Sequence, residues 1–162
     1  MWAPARQTWR TLASDPSATA RRHAVAFLHE EMPAELHLEI VRRALGDRSS
    51  KVRVKAIEMA GSLELRELLP ELTALRARET DAELSKQLDL ELALMRDGYV
   101  LEPLEGKTHE YWIRIRRPNA SISLPFFGAP TPEAIVARIV ESDRERGTTT
   151  PSWLLASRTG GA

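Results

Sequence analysis

The run Asp47-Arg48-Ser49-Ser50-Lys51-Val52-Arg53-Val54-Lys55-Ala56 sets how the rest of the chain reads. An acid and two serines stand just ahead of an apolar-periodic stretch, the pattern of a helix N-terminus. The pattern is not unique to this place, because Asp15, Arg21 and Ala24 recur 32 residues later as Asp47, Arg53 and Ala56. The apolar positions Ala20, Ala24 and Leu28 return as Val52, Ala56 and Ala60, and again as Leu84, Leu88 and Leu92. Steps of four residues trace one face of a helix, so the repeated object is helical.

Each of the first two such helices is followed by a second apolar-periodic stretch. Leu36, Ile40 and Ala44, with Leu38, Val41 and Leu45, follow the first; Leu65, Leu68, Leu69, Leu72 and Leu75 follow the second. The unit is therefore helix, turn, helix. Breakers stand where that reading needs them: Asp15-Pro16-Ser17, Met32-Pro33, Gly46-Asp47 with Ser49-Ser50, and Gly61-Ser62. Pro70 fits a helix that begins near Glu67, where its missing N–H falls in the first turn. A third unit is expected to begin near Thr80-Asp81 and to run as one helix to about Arg96, closed by Asp97-Gly98. Met1 to Ala13 reads as a short helix that covers the first unit with Trp2, Trp9 and Leu12; the two tryptophans could instead anchor a partner.

The stretch from Asp47 to Ala56, followed by Leu68-Leu69-Pro70-Glu71-Leu72, resembles a HEAT repeat of the short bacterial type. The resemblance covers residues 15 to 96. It implies antiparallel helix pairs stacked into an α-solenoid, with an Asp and an Arg commonly bridging neighbouring units. Here those residues are Asp47 and Arg53, with Asp15 and Arg21 one unit earlier. The third unit departs from the pattern, since Ser85 stands where Arg53 stood, as suits a closing half-repeat. An independent three-helix bundle is the alternative.

After Gly98 the period changes from four to two. Tyr99-Val100-Leu101, Glu110 to Arg116, and Ser121 to Phe127 read as strands, with a turn at Arg117-Pro118-Asn119-Ala120. Alternation puts Tyr111, Ile113 and Ile115 on one face of the second strand and Trp112, Arg114 and Arg116 on the other. In the third strand Ile122, Leu124 and Phe126 oppose Ser121, Ser123 and Pro125. Thr131-Pro132-Glu133 opens a helix whose apolar stripe is Ile135, Val136, Ile139 and Val140. The expected fold is thus mainly α: a short HEAT-like α-solenoid with a C-terminal β-hairpin or small antiparallel sheet plus a helix. Three regions result: a helical repeat domain with its capping helix (1–97), a small α+β unit packed on the end of the solenoid (98–146), and a flexible tail (147–162).

Composition bounds the function without naming it. The chain has 162 residues, no Cys, and 23 Lys+Arg against 23 Asp+Glu. A chain of this length buries a core without staples, and disulfide frameworks, Cys-based zinc sites and thiol chemistry are excluded. Apolar runs fall far short of the ~18 residues a span requires, and the N-terminus has no apolar signal core, so no membrane partner and a cytoplasmic location are expected. The charge is nevertheless segregated: 10 basic and 6 acidic residues to position 56, 6 and 13 from 57 to 113, and 7 and 4 thereafter. Such blocks steer a charged partner or form solvated faces of different sign.

Catalytic patterns fail on inspection. His29-Glu30-Glu31-Met32-Pro33 opens like a zinc-protease motif, but position 33 is Pro rather than the second His, and His23, His37 and His109 complete no helical pair. Gly106-Lys107-Thr108 resembles the end of a phosphate loop, yet Leu101 replaces the earlier glycine and a strand follows. There is no Gly-x-Ser-x-Gly elbow, and the carboxylates lie at helix-surface spacing. No catalytic residue, metal or cofactor is expected. The candidate contact residues are the basic Arg42, Arg43, Lys51 and Lys55, which stacking could line into a stripe, and Trp112, Arg114 and Arg116 on one strand face. The expected function is a protein–protein interaction or scaffold module whose partner is another protein. A nucleic-acid binder using the basic stripe is the first alternative, and an accessory subunit of an enzyme such as a HEAT-like lyase the second. Self-association through the hairpin edge is a further expectation.

Overall fold

Helices dominate the described residues, with a small three-stranded antiparallel sheet placed before the last two of them. The computed structural model describes residues 3–117 and 120–156. Two compact units divide the chain, Met1–Arg96 and Asp97–Ala162.

The first unit holds α1 (Ala3–Ala13), α2 (Ala18–Ala26), α3 (Ala34–Leu45), α4 (Ser50–Ser62), a short 3₁₀ turn (Arg66–Leu68), α5 (Leu69–Arg78) and nearly all of α6 (Ala82–Asp97). The helices α2, α4 and α6 begin at Ala18, Ser50 and Ala82, a step of 32 residues each time. Local chemistry sets these starts: the Ser17 hydroxyl accepts the Ala20 N–H at the head of α2, and the Asp81 carboxylate accepts the Leu84 N–H at the head of α6. Pro70 sits in the first turn of α5, and the 3₁₀ turn ahead of it absorbs the residues from Arg66.

Packing follows the repeated apolar stripe. Ala24, Val52, Ala56, Ala60 and Leu88 are buried, as are Ile40, Val41, Leu68 and Leu72 on the intervening helices. Ala24 and Ala56, equivalent positions in successive units, let α2 and α4 approach closely. The third unit carries Leu88 at that position, with Leu84 and Leu92 flanking it, and a cleft of about 500 Å³ runs along α4 and α6. Larger side chains at the contact set helices further apart.

The second unit holds β1 (Val100–Pro103), β2 (Glu110–Arg117), β3 (Ala120–Phe127), α7 (Pro132–Arg146) and α8 (Ser152–Ala156). The sheet order is β1-β2-β3, with Leu101 opposite Ile113 and Ile113 opposite Leu124. Ile113, Ile115, Ile122, Leu124 and Phe126 form the buried sheet face against Ile135, Val136 and Ile139 of α7. The alternation read from the sequence is therefore the observed one. The first strand lies at 100–103 rather than 99–101.

The tail requires a correction. Residues 152–156 form a helix, Leu154 is 1% exposed in the core of this unit, and the segment leading to α8 is held by a buried carboxylate. Asp143 accepts hydrogen bonds from Thr148 and Thr150 while paired with Arg117 through 2.6 Å and 3.1 Å contacts. The Thr-rich stretch reads as solvated in sequence, but its hydroxyls satisfy a buried charge that only the fold reveals. Gly98 completes the arrangement: its φ is +84°, and a Cβ there would lie 2.7 Å from the Leu154 side chain. Residues 157–162, like Trp2, Pro118 and Asn119 of the expected cap and turn, lie outside the described residues.

Candidate partner-binding surfaces

Two ladders of ion pairs cross between successive helical repeats. In the first, Arg21 of α2 grips Asp47 through Nε (2.7 Å) and Nη2 (2.9 Å), and Arg53 of α4 reaches Glu79 at 3.2 Å. Both pairs link residues 26 apart, from one repeat to the acid that opens the next. Arg21 Nη1 also donates to the Asp15 and Pro16 carbonyls, and Arg53 Nη1 donates to the Asp47 carbonyl. Ser85 follows the same geometry with its hydroxyl on the Glu79 carbonyl. The acids double as loop caps, since Asp47 accepts the Ser49 N–H and Glu79 accepts those of Thr80 and Asp81. The guanidinium of Arg21 is the larger influence on Asp47, holding its carboxyl below the usual range against the opposing pull of burial.

The second ladder joins the other set of helices. Arg10 of α1 forks onto Glu39 of α3 at 2.7 Å and 2.8 Å, and Arg42 of α3 meets Glu71 of α5 at 2.6 Å. Arg10 and Arg42 are 32 apart, as are Glu39 and Glu71, so this ladder keeps the repeat's step. It is more exposed than the first. Hydrogen bonds from Arg10 and Arg42 depress the carboxyls of Glu39 and Glu71 respectively.

These pairs change what the basic candidates can do. Arg42 is engaged with Glu71, and Lys55 is paired with Glu58 one turn along α4. Arg43, in the last turn of α3, is exposed and lines a cleft of about 380 Å³ with Arg21, Arg48, Asp15 and Asp47. Lys51 is exposed in the first turn of α4. Arg42 and Lys55 are thus committed to carboxylates, while Arg43 and Lys51 are offered to solvent, with carboxylates close to Arg43. Sequence reading missed the outer ladder, although Arg10/Arg42 and Glu39/Glu71 recur at the same step as the motif that was found.

The second unit presents Trp112, Arg114 and Arg116 on the sheet face opposite its core. Trp112 is 41% exposed, lying between Glu102 of β1 and Pro125 of β3 in the ladder. Arg114 pairs with Glu102 at 3.0 Å, and the opposing β3 positions are the small Ser121 and Ser123. Phe127, 69% exposed, ends this face. Pro125 removes one main-chain donor from the edge strand β3.

His37 and the glycine turn make structural contacts. His37 is buried on α3 with Nε2 2.8 Å from the His29 carbonyl, and Gly106-Lys107-Thr108 lies between β1 and β2, where the Lys107 N–H donates to Leu104. Among the described residues no three His, Asp or Glu side chains converge as metal ligands, and no helix is long and apolar enough to cross a membrane. Comparison with protein-family models, with curated proteins and with solved structures finds no match.

Proposed function

We propose that residues 15 to 96 are a short α-solenoid of HEAT type and that the protein works as a protein-interaction module without catalysis of its own. The observation that carries this reading is the constant step of 32 residues, shared by the helix starts and by both ion-pair ladders. A chain that repeats its own inter-unit contacts builds an extended face by addition, and such faces bind other proteins by shape and charge. The engagement of Arg42 and Lys55 with carboxylates of the same unit supports a protein partner over a nucleic acid, because phosphate binding draws on uncommitted cations.

The test is recovery of the tagged full chain from its own cells after nuclease treatment and a high-salt wash. The reading expects a protein retained in fixed proportion under both conditions. Retention of nucleic acid alone, lost with nuclease or salt, would replace it with the nucleic-acid reading.

A further inference from the structure

Among the described residues no helix stands before α2 in the place that α2 takes before α4, and the internal register states what would fit there. The α6 residues lining the cleft beside α4 include Leu84, Gln87 and Leu90. The positions equivalent to these on α2, 64 residues earlier, are Ala20, His23 and Ala26, followed by Phe27. Equivalent positions differ sharply in burial. Val52 and Leu84 are buried at 0% and 3%, whereas Ala20 is only half-buried. Phe27 is 63% exposed with its ring against His23 at 5.7 Å, whereas its counterpart Met59 is half-buried and Glu91 is buried. The face of α2 that would receive a preceding helix carries apolar and small residues, with Ala20 and Ala26 half-buried and Phe27 exposed among the described residues.

The ion-pair ladder is open at the same place. Asp47 and Glu79 each cap their own loop and each take a guanidinium from the repeat before. Asp15 holds the equivalent position and makes the equivalent cap, accepting the Ser17 N–H at 2.7 Å. Among the described residues no cation is paired with its carboxylate. Because Arg21 and Arg53 both reach the acid of the following repeat, a helix laid on α2 would aim an arginine from the same position at Asp15.

We propose that the exposed face of α2, with Asp15 at its head, docks an amphipathic helix of a partner protein that presents an arginine to Asp15 and an apolar side chain to Phe27. This rests on the repeat reading given above and names the partner's chemistry for it. The small side chains of Ala20 and Ala26 allow close helix approach, as Ala24 and Ala56 do between α2 and α4. A second copy stacked head to tail is a poorer occupant, since its last repeat brings Ser85 where the arginine belongs.

The test places the photo-crosslinking residue p-benzoylphenylalanine at Phe27 in the full chain, with a control at exposed Ala74 on α5, and maps the partner peptide by mass spectrometry after irradiation in the native cell. The expected result is a crosslink from position 27 to a helical segment containing an arginine. Its yield should fall at least tenfold in Asp15→Asn, which keeps the cap acceptor but loses the charge, and in Ala20→Arg, which fills and charges the face. Both variants are first checked for an unchanged melting temperature, and whichever of them melts normally decides. A crosslink to a second copy, to nucleic acid, or to a segment without arginine overturns the proposal, as does a yield indifferent to the folded variants. Protein crosslinks from position 74 alone overturn this site and leave the interaction module standing; none from either position removes both.

Discussion

Replacing Asp143 by Ala tests the reasoning about the second unit at its most costly point. The carboxylate is 1% exposed and holds Arg117, itself 6% exposed, through two hydrogen bonds, with Thr148 and Thr150 donating to the remaining lone pairs. Removing one partner of a buried pair leaves an uncompensated charge, at a cost of about 3–5 kcal/mol. Loss of the Thr150 hydrogen bond adds about 1 kcal/mol. A unit of this size holds only about 3–10 kcal/mol of stability at the usual 0.05–0.15 kcal/mol per residue. Asp143→Ala should therefore remove a large part of the sheet unit's stability, and hydrogen exchange should show β2, β3 and α7 losing protection together. A urea-unfolding free energy within about 1 kcal/mol of the parent would refute the argument, because the pair would then be unable to bear what its burial implies.

The same residue fixes a pH dependence. Burial pushes the Asp143 carboxyl up, but the hydrogen bonds from Arg117 and Thr150, the Arg117 charge and the Thr148 hydroxyl together outweigh it, so the group titrates below its ordinary range. A folded-state pKa below the unfolded one gives stability that is fully present above the unfolded value of about 4 and is lost as pH falls through the depressed value. Asp143→Asn should flatten that acid limb.

Three further outcomes follow from named contacts. Gly98→Ala should cost about 1–3 kcal/mol through its positive φ alone, with more from the contact its Cβ would make with Leu154, read as a lowered midpoint in urea. Leu154→Ala should cost about 2–5 kcal/mol and expose residues 147–156 to limited proteolysis, whereas an unchanged cleavage pattern would return that segment to the status of a tail. Arg42→Ala should change stability by no more than about 1 kcal/mol, since its pair with Glu71 is solvent-exposed, and thermal melting checks it.

Much of the molecule was legible because its sequence repeats chemistry as well as hydrophobicity. Asp15/Asp47 and Arg21/Arg53 announce the period, and the starts of α2, α4 and α6 obey it. Strand faces were legible too, since Ile113 and Ile115 alternate with Trp112 and Arg114 in a pattern only one face can bury. What was not legible depends on partners distant in sequence. Alternation puts Arg117 on the face of Ile113 and Ile115, but nothing local says that a guanidinium can stay there at 6% exposure, because its buried partner Asp143 lies 26 residues away. Arg42 looked available for a partner for the same reason, its acid lying 29 residues on. Glu79 hid the second pair of the first ladder because the acid had changed type while keeping its place.

The central claim is that successive 32-residue repeats are joined by the Arg-to-acid contact, and a double-mutant cycle on Arg21 and Asp47 measures it. Arg21→Met and Asp47→Leu each remove one side of the pair, while other losses, such as the Ser49 cap, cancel in the cycle. The account predicts that each single variant melts lower than the parent and that the double variant melts clearly above the sum of the two losses. Additive losses would mean that the two residues do not support each other across the repeat boundary, and the ladder would no longer explain how the α2 and α4 segments are held together.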